Sequence, residues 1–457
     1  MKHHKNILGS SSALVNLTRA AVLALVLTPA WATDYEKPPT LSAAKVFPGT
    51  PLKGKHYTIE SKVRTDGFLT GAEIKSEFGN FVALGPGMLE IRLHEIDALV
   101  KLKTFEASEE FQRGAKASAN EKWEGLKQVY DKPKEAAAGI SKGVSRFFKR
   151  TVRASKTGVQ TVNDAYHGRT PGSIEGAGAN LPGKAQSQAL PESESKYKKA
   201  AKASGSTAVN ILGFDDSRRK LAKRLGVDPY TTNPILDEKL DEVTWSIFAG
   251  DFGIDLATSL IPGSIVVTTS SLVTNWVWDT PPGDLRVKIE QTLLKSGISQ
   301  EDVDRLLRHR AYPLSYQAAL TSALDALGKV DGHEDIMPLV LSVTTVDQAR
   351  FVVNTMRMLK RYHETVEPLN FIAVQGTVYA TNTKGSIVIT APADYVSWSE
   401  MMDNFSGQKK FTGQKHELHI AGSMSEMAKS HFEERGWELH ENSSLFANLT
   451  TAAKNGK

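Results

Sequence analysis

The chain has 457 residues, contains no cysteine and carries a formal net charge of +5 at pH 7. Without cysteine, disulfide bridges and metal sites built on thiolates are excluded. Three of the basic residues lie in the first 32 positions, where no acidic residue offsets them. When that segment is set aside, the remaining charge is too small to indicate nucleic-acid binding, and the remaining length suggests about two or three domains.

The first 32 residues have the pattern of a secretory signal peptide. An apolar run at 20–27 follows the three cations and precedes an A-x-A triplet that ends at Ala32 and matches a cleavage site. The run is too short to span a bilayer, and the triplet disfavours the alternative of a retained membrane anchor. We therefore expect a periplasmic protein whose mature chain begins at Thr33. Residues 33–55 contain four prolines and little periodic pattern, which predicts a mobile lead-in.

A small antiparallel β unit opens the domain that we predict at 56–166. Alternation of apolar and polar residues indicates strands at 56–59 and 72–84. Apolar residues then recur at helical spacing and predict a helix over 88–130. A Pro-containing break follows, and a second helix is predicted at 135–156.

The second of these helices is basic and amphipathic. Residues 136–163 contain no acidic residue, and the cations fall mostly on one helical face. We predict that eight positions contact a membrane or a partner: Lys142, Arg146, Phe147, Phe148, Lys149, Arg150, Arg153 and Lys156. Helices of this kind lie on anionic membrane surfaces with their cations beside phosphate groups. The alternative is a helix docked on the protein's own core, with its lysines in water.

A stretch rich in glycine and proline at 167–207 is predicted to be a disordered linker, because it has too few apolar residues to offset the entropy of ordering. Within it, residues 178–184 spell most of a phosphate-binding loop. The required Ser or Thr is replaced by Ala185, and Pro182 lacks an amide that would face phosphate. Nucleotide binding is therefore not predicted.

The second half is predicted to contain a helical domain at 208–367, built on an apolar helical hairpin at 240–277. No lysine or arginine occurs between positions 239 and 286. A Pro-Gly break at 262–263 divides the segment into two arms, each shorter than the roughly 20 apolar residues that a membrane span needs. We interpret the arms as the buried centre of the domain. The alternative is a hairpin that inserts into lipid.

Capping residues mark two helix starts in this domain. Thr232 or Asn233 precedes the helix that leads into the hairpin, and Ser299 with Asp302 forms a variant of the capping box. Side-chain oxygens at such positions accept hydrogen bonds from first-turn amides that otherwise have no partner.

The last part of the chain changes to strand periodicity. Its predicted elements are strands at 371–381, 386–390, 417–421 and 437–440, with helices at 395–402 and 425–435. The order ββαβαβ predicts a small α/β sandwich at 368–445, followed by a tail at 446–457. The whole chain is therefore expected to have an α+β fold.

Motifs of known catalytic chemistry are missing from the sequence. There is no G-x-S-x-G elbow, and the His-Glu pairs at 94–95 and 363–364 lack the second histidine of a zinc-protease motif. Four histidines occur late in the chain: His416, His419, His431 and His440. His416 and His419 are three apart on a strand and so point to opposite faces. We interpret the four as surface histidines, and neither a metal nor another cofactor is predicted.

Three segments resemble known sequences. VDPYTTNPIL at 227–236, VITAPADYVSWSE at 388–400 and RGWELHEN at 435–442 resemble segments of exported proteins of unknown function from Gram-negative bacteria. The resemblance covers both folded halves, implies no activity and transfers no site residue.

Three functional hypotheses remain. The first is a non-enzymatic periplasmic protein of the cell envelope that binds an envelope protein or an anionic lipid surface through the basic helix and the C-terminal module. The second is a hydrolase that uses Asp251 and Asp255 as buried carboxylates. The third is a membrane-inserting hairpin protein. We favour the first, because buried carboxylates are normally satisfied by hydrogen bonds and because the arms are short and carry acidic residues.

Overall fold

The computed structural model describes residues 35–109, 111–112, 205–249, 261 and 275–446. Within these ranges the chain forms a small N-terminal sheet, a central group of helices and a C-terminal sheet with its own helices. The fold is α+β, as the sequence predicts.

The N-terminal part is an antiparallel sheet of short strands. Its elements are β1 (Thr40–Ser42), α1 (Ala43–Val46), β2 (Tyr57–Ile59), β3 (Lys62–Thr65), β4 (Thr70–Ser76) and β5 (Gly79–Leu84). Strand β4 is central, with β5 along one edge and β2 and β3 along the other. Ala72 and Ile74 are buried while Glu73 and Lys75 are exposed, which is the alternation expected of a strand with one wet face.

Residues 40–46 differ from the prediction of a mobile lead-in at 33–55. Strand β1 pairs antiparallel with β3, so that Leu41 lies opposite Val63. Ala43 is fully buried, and its amide donates to the carbonyl oxygen of Ser61 at 2.9 Å. The order of this segment comes from pairing with a strand further along the chain, which its own local pattern does not signal.

The first long helix, α2 (Met88–Glu106), is shorter than predicted. Helical spacing of apolar residues continues to about residue 130, but the helix ends at Glu106, after which the amide of Ala107 donates to the carbonyl oxygen of Lys103. Neither proline nor glycine stands at this end, so the sequence carries no strong stop signal there. Residues 113–204 lie outside the described residues.

A shared apolar core joins the N-terminal sheet and α2 to two helices of the second half, α3 (Gly205–Leu225) and α4 (Pro234–Ala249). Leu99, Leu221 and Leu240 are almost completely buried in it. Helix α3 begins within the last residues of the predicted linker. Because burial of apolar surface is the main favourable term in folding, the two halves stabilise one another. All described residues from Lys37 onward belong to one compact unit.

Most of the large apolar residues at the described ends of the predicted hairpin are buried. Five of its large apolar residues each expose 3% of their surface or less: Leu240, Val243, Ile247, Ile261 and Val277. They pack into cores formed with neighbouring helices and strands. No helix in the described part of the chain combines the length and the apolar character needed to cross a membrane.

The central helices follow in chain order. They are α5 (Asn275–Asp279), α6 (Pro282–Lys295), α7 (Gln300–Leu307), α8 (Leu314–Leu327), α9 (Met337–Ser342) and α10 (Val346–Thr365). Both predicted caps are present. Asn233 Oδ1 accepts from the amides of Ile235 and Leu236 at 3.1 and 3.3 Å. Ser299 Oγ accepts from the amide of Asp302 at 3.2 Å, at the start of α7.

The C-terminal sheet has five strands in the order β12-β10-β8-β7-β6. Its elements, with a separate two-stranded pair β9–β11, are β6 (Leu369–Val374), β7 (Val378–Asn382), β8 (Ile387–Ala391), β9 (Tyr395–Val396), α11 (Glu400–Ser406), β10 (His416–Ile420), β11 (Ser423–Met424), α12 (Glu426–Glu434) and β12 (Trp437–His440). Strands β8, β10 and β12 are parallel, whereas β6, β7 and β8 form an antiparallel meander.

The two faces of this sheet are covered by different helices. Val388 of β8 belongs to the core that contains α10, while Ile387, Ile389 and Leu418 belong to a second core that contains Phe432 of α12. Because side chains alternate along a strand, Glu417 and His419, the neighbours of Leu418 in β10, point toward α10.

Two local predictions in this module are wrong. The single strand predicted at 371–381 is two strands, β6 and β7, which are separated by a turn in which Gly376 has a φ of 75°. The helix predicted at 395–402 is instead the short strand β9 followed by α11, which begins only at Glu400. Its N-cap is Ser399, whose side chain accepts from the amide of Met402 at 3.3 Å. The module is therefore richer in strands than the predicted ββαβαβ order.

Candidate functional site

Three residues of the C-terminal sheet, Glu417, His419 and His440, form a compact cluster that we call the His–Glu cluster. Strands β10 and β12 are parallel and in register, so that His419 lies opposite His440. Glu417 is two residues before His419 and therefore points to the same face of the sheet. The register places one carboxylate and two imidazoles together on the face covered by α10.

The ligand atoms of the three side chains lie within 4.8 Å of one another. Glu417 Oε2 is 3.0 Å from His419 Nε2 and 3.6 Å from His440 Nε2. The two imidazole rings stack, with their centroids 4.1 Å apart and an interplanar angle of 6°. His440 Nε2 makes no hydrogen bond with any residue that the structure describes, although a Glu438 carboxylate oxygen lies 3.3 Å away.

Residues around the His–Glu cluster hold it in place. The hydroxyl of Tyr362, on α10, donates to Glu417 Oε1 at 2.6 Å and accepts from Asn382 Nδ2 at 3.0 Å. Ser443 Oγ lies 3.4 Å from His419 Nδ1. These contacts connect the sheet to α10 and fix the orientations of the carboxylate and of one imidazole.

The environment shifts the protonation equilibria of the cluster. Burial acts to raise the pKa of Glu417, but hydrogen bonds from His419 and Tyr362 outweigh it, and the pKa is lowered. Burial, followed by the charge of His419, lowers the pKa of His440. Burial and the bond to Glu417 raise the pKa of the Tyr362 hydroxyl. The ionised form of Glu417 and the neutral form of His440 are thus favoured, and these are forms that bind metal ions.

The prediction for the late histidines is only partly correct. His416 does point away from His419, and its ring contacts Trp437 and Phe411 in the second core. The interpretation as surface residues is wrong for His416 and His419, which expose 5% and 6% of their surface. His431 stacks on Trp398 and takes no part in the cluster.

A second polar group, the Arg92–Glu95 cluster, is buried where α2 meets the connection between α3 and α4. Arg92 Nη1 donates to Glu95 Oε2 at 2.5 Å, and the same oxygen accepts from Asn233 Nδ2 at 3.0 Å. Thr231 Oγ1 donates to Glu95 Oε1 at 2.6 Å, and Arg92 Nη2 donates to Thr232 Oγ1 at 3.1 Å. Both oxygens of the Glu95 carboxylate therefore have donors.

A narrow cleft beside the Arg92–Glu95 cluster is too small for a substrate. Its lining residues are Met88, Ile91, Glu95, Asp228, Thr231, Thr232 and Tyr316. The space in the cleft that a water-sized molecule can occupy is about 20 Å³, roughly what a single water molecule requires. Desolvation raises the pKa of Asp228 to about 6 and that of Tyr316 to about 12. We interpret the cleft as part of a polar structural junction.

One carboxylate connects the N-terminal sheet to the C-terminal module. Asp394 Oδ2 accepts from both the amide and the hydroxyl of Thr70, each at 2.9 Å. Desolvation raises the pKa of Asp394 to about 7, against the opposing effects of the Thr70 bonds and of the Arg350 charge. Arg350 of α10 in turn donates to the carbonyl oxygen of Pro86 at 2.8 Å. These bonds join residues that are far apart in the sequence.

The site residues predicted from sequence lie outside the described residues. The eight predicted contact positions fall between 113 and 204, and Asp251 and Asp255 fall between 250 and 260. The residues that the structure brings together are a different set. Their signal in the sequence is partial: Glu417 and His419 are two apart in a predicted strand, but the register that adds His440 is not visible in the sequence.

Comparison of the chain with protein-family models, with curated protein sequences and with solved structures gives no match. Functional conclusions therefore rest on the residues of this chain.

Proposed function

We propose that this chain is a non-enzymatic, exported protein of the cell envelope that binds an anionic membrane surface through residues 135–156. The observation that carries the proposal is the charge pattern of residues 136–163, which contain no acidic residue. Six cations in this stretch repeat mostly on one helical face: Lys142, Arg146, Lys149, Arg150, Arg153 and Lys156. A cation near an anionic surface contributes about 1 kcal/mol, so that six together are sufficient for reversible binding.

The apolar residues of the same stretch support a lipid surface as the binding partner. Phe147 and Phe148 occur among the cations, with Ile140, Val144 and Val152 at helical spacing. In an interfacial helix the apolar face enters the boundary between headgroups and acyl chains, while the cations remain beside phosphates. The apolar residues among the cations therefore favour a lipid surface over an acidic protein as the binding partner.

The proposed periplasmic location is supported by the first 32 residues, with their cations, short apolar run and A-x-A triplet. Its test is the N-terminal sequence of the protein recovered from the periplasmic fraction of a Gram-negative host. We expect that sequence to begin at Thr33. Recovery of the protein in the cytoplasm with residues 1–32 intact contradicts the proposal.

Sedimentation with liposomes tests the membrane interaction. The full chain should sediment with vesicles that contain phosphatidylglycerol and not with pure phosphatidylcholine vesicles. The variant with Arg146, Lys149, Arg150 and Arg153 all changed to Glu should remain in the supernatant. The matched control changes four exposed lysines elsewhere to Glu, and it should sediment like the wild type: Lys55, Lys62, Lys295 and Lys329.

Two further outcomes separate the alternatives. Replacement of Phe147 and Phe148 by Ser should weaken binding to the same vesicles if the aromatic rings enter the bilayer. If the wild type does not bind anionic vesicles but cross-links through residues 135–156 to an acidic envelope protein, the binding partner is a protein and not a lipid surface. Equal sedimentation of the wild type and the four-fold reversal variant contradicts the role of the basic segment in either form.

The hydrolase and membrane-insertion hypotheses have less support. The first depends on Asp251 and Asp255, which lie outside the described residues, so that no observed geometry supports it. Against the second, large apolar residues at the described ends of the hairpin, among them Leu240 and Val277, are packed in protein cores.

A further inference from the structure

We propose that Glu417, His419 and His440 bind one divalent transition-metal ion, and that zinc is the ion that their donor atoms fit best. The inference is independent of the membrane interaction, because it uses a different part of the chain. Two imidazoles and one carboxylate form a donor set of known zinc sites, while hard cations such as magnesium prefer oxygen donors alone.

The spacing of the donor atoms supports a single ion. Bonds of about 2.0–2.2 Å from zinc to nitrogen and to carboxylate oxygen place two donors of a tetrahedral site about 3.4 Å apart. Glu417 Oε2 is 3.0 Å from His419 Nε2 and 3.6 Å from His440 Nε2. The shared carboxylate oxygen therefore lies near tetrahedral spacing from His419 Nε2, and His440 Nε2 is close enough to complete the site once its ring has turned.

The surrounding residues supply the supporting contacts that metal sites use. A carboxylate that binds metal is normally held by a hydrogen bond to its other oxygen, and a histidine by a bond to its other nitrogen. Tyr362 donates to Glu417 Oε1, and Ser443 Oγ lies beside His419 Nδ1. When zinc takes Nε2 of His419, the ring proton moves to Nδ1, where Ser443 Oγ accepts it.

One ring must turn for the ion to enter. A metal ion lies in the plane of each imidazole that binds it, so two stacked, nearly parallel rings cannot share one ion. His440 is the ring expected to turn, because its side chain is 36% exposed and its Nε2 has only longer contacts, 3.3 Å to Glu438 and 3.6 Å to Glu417. His419, with 7% of its side chain exposed, stays fixed by Glu417 and Tyr362.

Three protein donors leave a fourth position for water or for the Glu438 carboxylate, which lies 3.3 Å from His440 Nε2. Zinc bound in this way cross-links β12, the last strand of the sheet, to β10. Through Tyr362 it also strengthens the connection of both strands to α10. The expected effect of the ion is a higher thermal stability of the protein.

The test uses the full chain without an affinity tag, freed of metal with a chelator and titrated with zinc alone against a competing fluorescent indicator. We expect one tight site per wild-type chain, a rise in Tm with zinc and no response to magnesium. His440→Ala and Glu417→Gln should each lose this site. His3 and His4 could also bind zinc, but they are present in the wild type and in every variant. The site is therefore assigned from the differences in zinc binding between the wild type and the variants.

The matched control is His431→Ala. His431 belongs to the same module and its side chain is 37% exposed, close to the 36% of His440, but it stacks on Trp398 away from the cluster. This variant should bind zinc as the wild type does. Tyr362→Phe leaves the three donors in place and should weaken binding about 10- to 100-fold, as loss of a supporting bond does elsewhere.

Substitution of cobalt for zinc gives a second readout, since tetrahedral Co²⁺ with nitrogen and oxygen donors absorbs strongly in the visible range. The spectrum should appear in the wild type and in His431→Ala and be absent in His440→Ala. Circular dichroism without metal shows whether each variant folds. Absence of a tight site in the wild type, or equal binding by wild type and His440→Ala, overturns the proposal.

Discussion

The Arg92–Glu95 cluster and the His–Glu cluster each combine a glutamate with nitrogen-bearing side chains, but they differ in how many of their polar atoms have hydrogen-bond partners. In the first, both oxygens of Glu95 accept hydrogen bonds, and Arg92 and Glu95 expose only 8% and 3% of their surface. In the second, one imidazole is half-exposed and its Nε2 has no hydrogen-bond partner among the described residues. A buried polar network whose groups all have partners helps to specify one fixed structure, whereas an imidazole nitrogen without a hydrogen bond still has a lone pair or a proton to offer a ligand.

The strongest test of this comparison removes the acid of the Arg92–Glu95 cluster. Glu95→Ala leaves the buried guanidinium of Arg92 without its counter-charge and removes the acceptor of Thr231 and Asn233, so that the free energy of unfolding should fall by about 3–5 kcal/mol. Urea denaturation measures this loss. The control Asp97→Ala lies on the same helix in an exposed pair with Lys101 and should cost less than about 1 kcal/mol. Similar losses in both variants would mean that Glu95 is not the centre of a buried network.

The next largest effect is a dependence of stability on pH through Asp394. Its pKa is raised to about 7 in the folded protein from an ordinary value of 3.8. Between these values the unfolded chain loses the proton first, so this group lowers the free energy of unfolding as pH rises from about 4 to about 7, by at most about 1.4 kcal/mol per pH unit. Asp228, with a pKa raised to about 6, acts in the same direction.

Asp394→Asn retains an acceptor for Thr70 but cannot ionise. Relative to the wild type, this variant should therefore gain stability steadily as pH rises from 4 to 7 in urea denaturation. Asp304→Asn, at an exposed pair with Arg308, should follow the wild type throughout. If the free energy of unfolding depends on pH in the same way in the wild type and in Asp394→Asn, the pKa of the Asp394 carboxyl is not raised in the folded protein.

A smaller effect is expected at the support of the His–Glu cluster. Tyr362→Phe removes the donor to Glu417 and the acceptor of Asn382 while leaving the ring in the core, and it should cost about 1–3 kcal/mol without metal. Tyr379→Phe is the control, because the Tyr379 hydroxyl makes no hydrogen bond with the described residues. Thermal unfolding in the presence of a chelator should show a lower Tm for Tyr362→Phe than for the wild type, and little change for Tyr379→Phe.

The smallest effect is expected for His440→Ala in the absence of metal. The side chain is 36% exposed and gives no hydrogen bond to a described residue, so that the change in the free energy of unfolding should stay within about 0.5 kcal/mol. Chemical denaturation without metal measures it. A loss above about 2 kcal/mol would show that His440 stabilises the fold as Glu95 does, and the proposed difference between the two clusters would be wrong.

The parts of the fold that depend on local physics could be predicted from the sequence. Asn233 and Ser299 cap helices because a short polar side chain before an apolar helical pattern satisfies first-turn amides, whatever the rest of the protein does. Strand β12 was predicted from 437 to 440 and has these bounds. The errors occur where the secondary structure of a segment depends on a strand elsewhere in the sequence. Strand β1 forms by pairing with β3, and residues 395–396 form a strand by pairing with β11.

The same distinction applies to the candidate site. Spacing within one strand places Glu417 and His419 on one face, and this much was readable from the sequence. His440 joins them only because β12 lies beside β10 in register, and Tyr362 because α10 covers that face. The sequence analysis correctly placed His416 and His419 on opposite faces, but it did not consider Glu417 as the partner of His419 on the same face.

The core shared by the N-terminal sheet, α2, α3 and α4 has a consequence for the biogenesis of the protein. Leu99, in the first quarter of the chain, is buried in a core that also contains Leu221 and Leu240, so we expect residues up to 112 not to fold stably on their own. During synthesis this segment is then expected to keep apolar surface exposed until more than a hundred further residues have been made. A protease cut between 113 and 204 in the finished molecule should accordingly yield two fragments that co-elute on a sizing column until denaturant separates them.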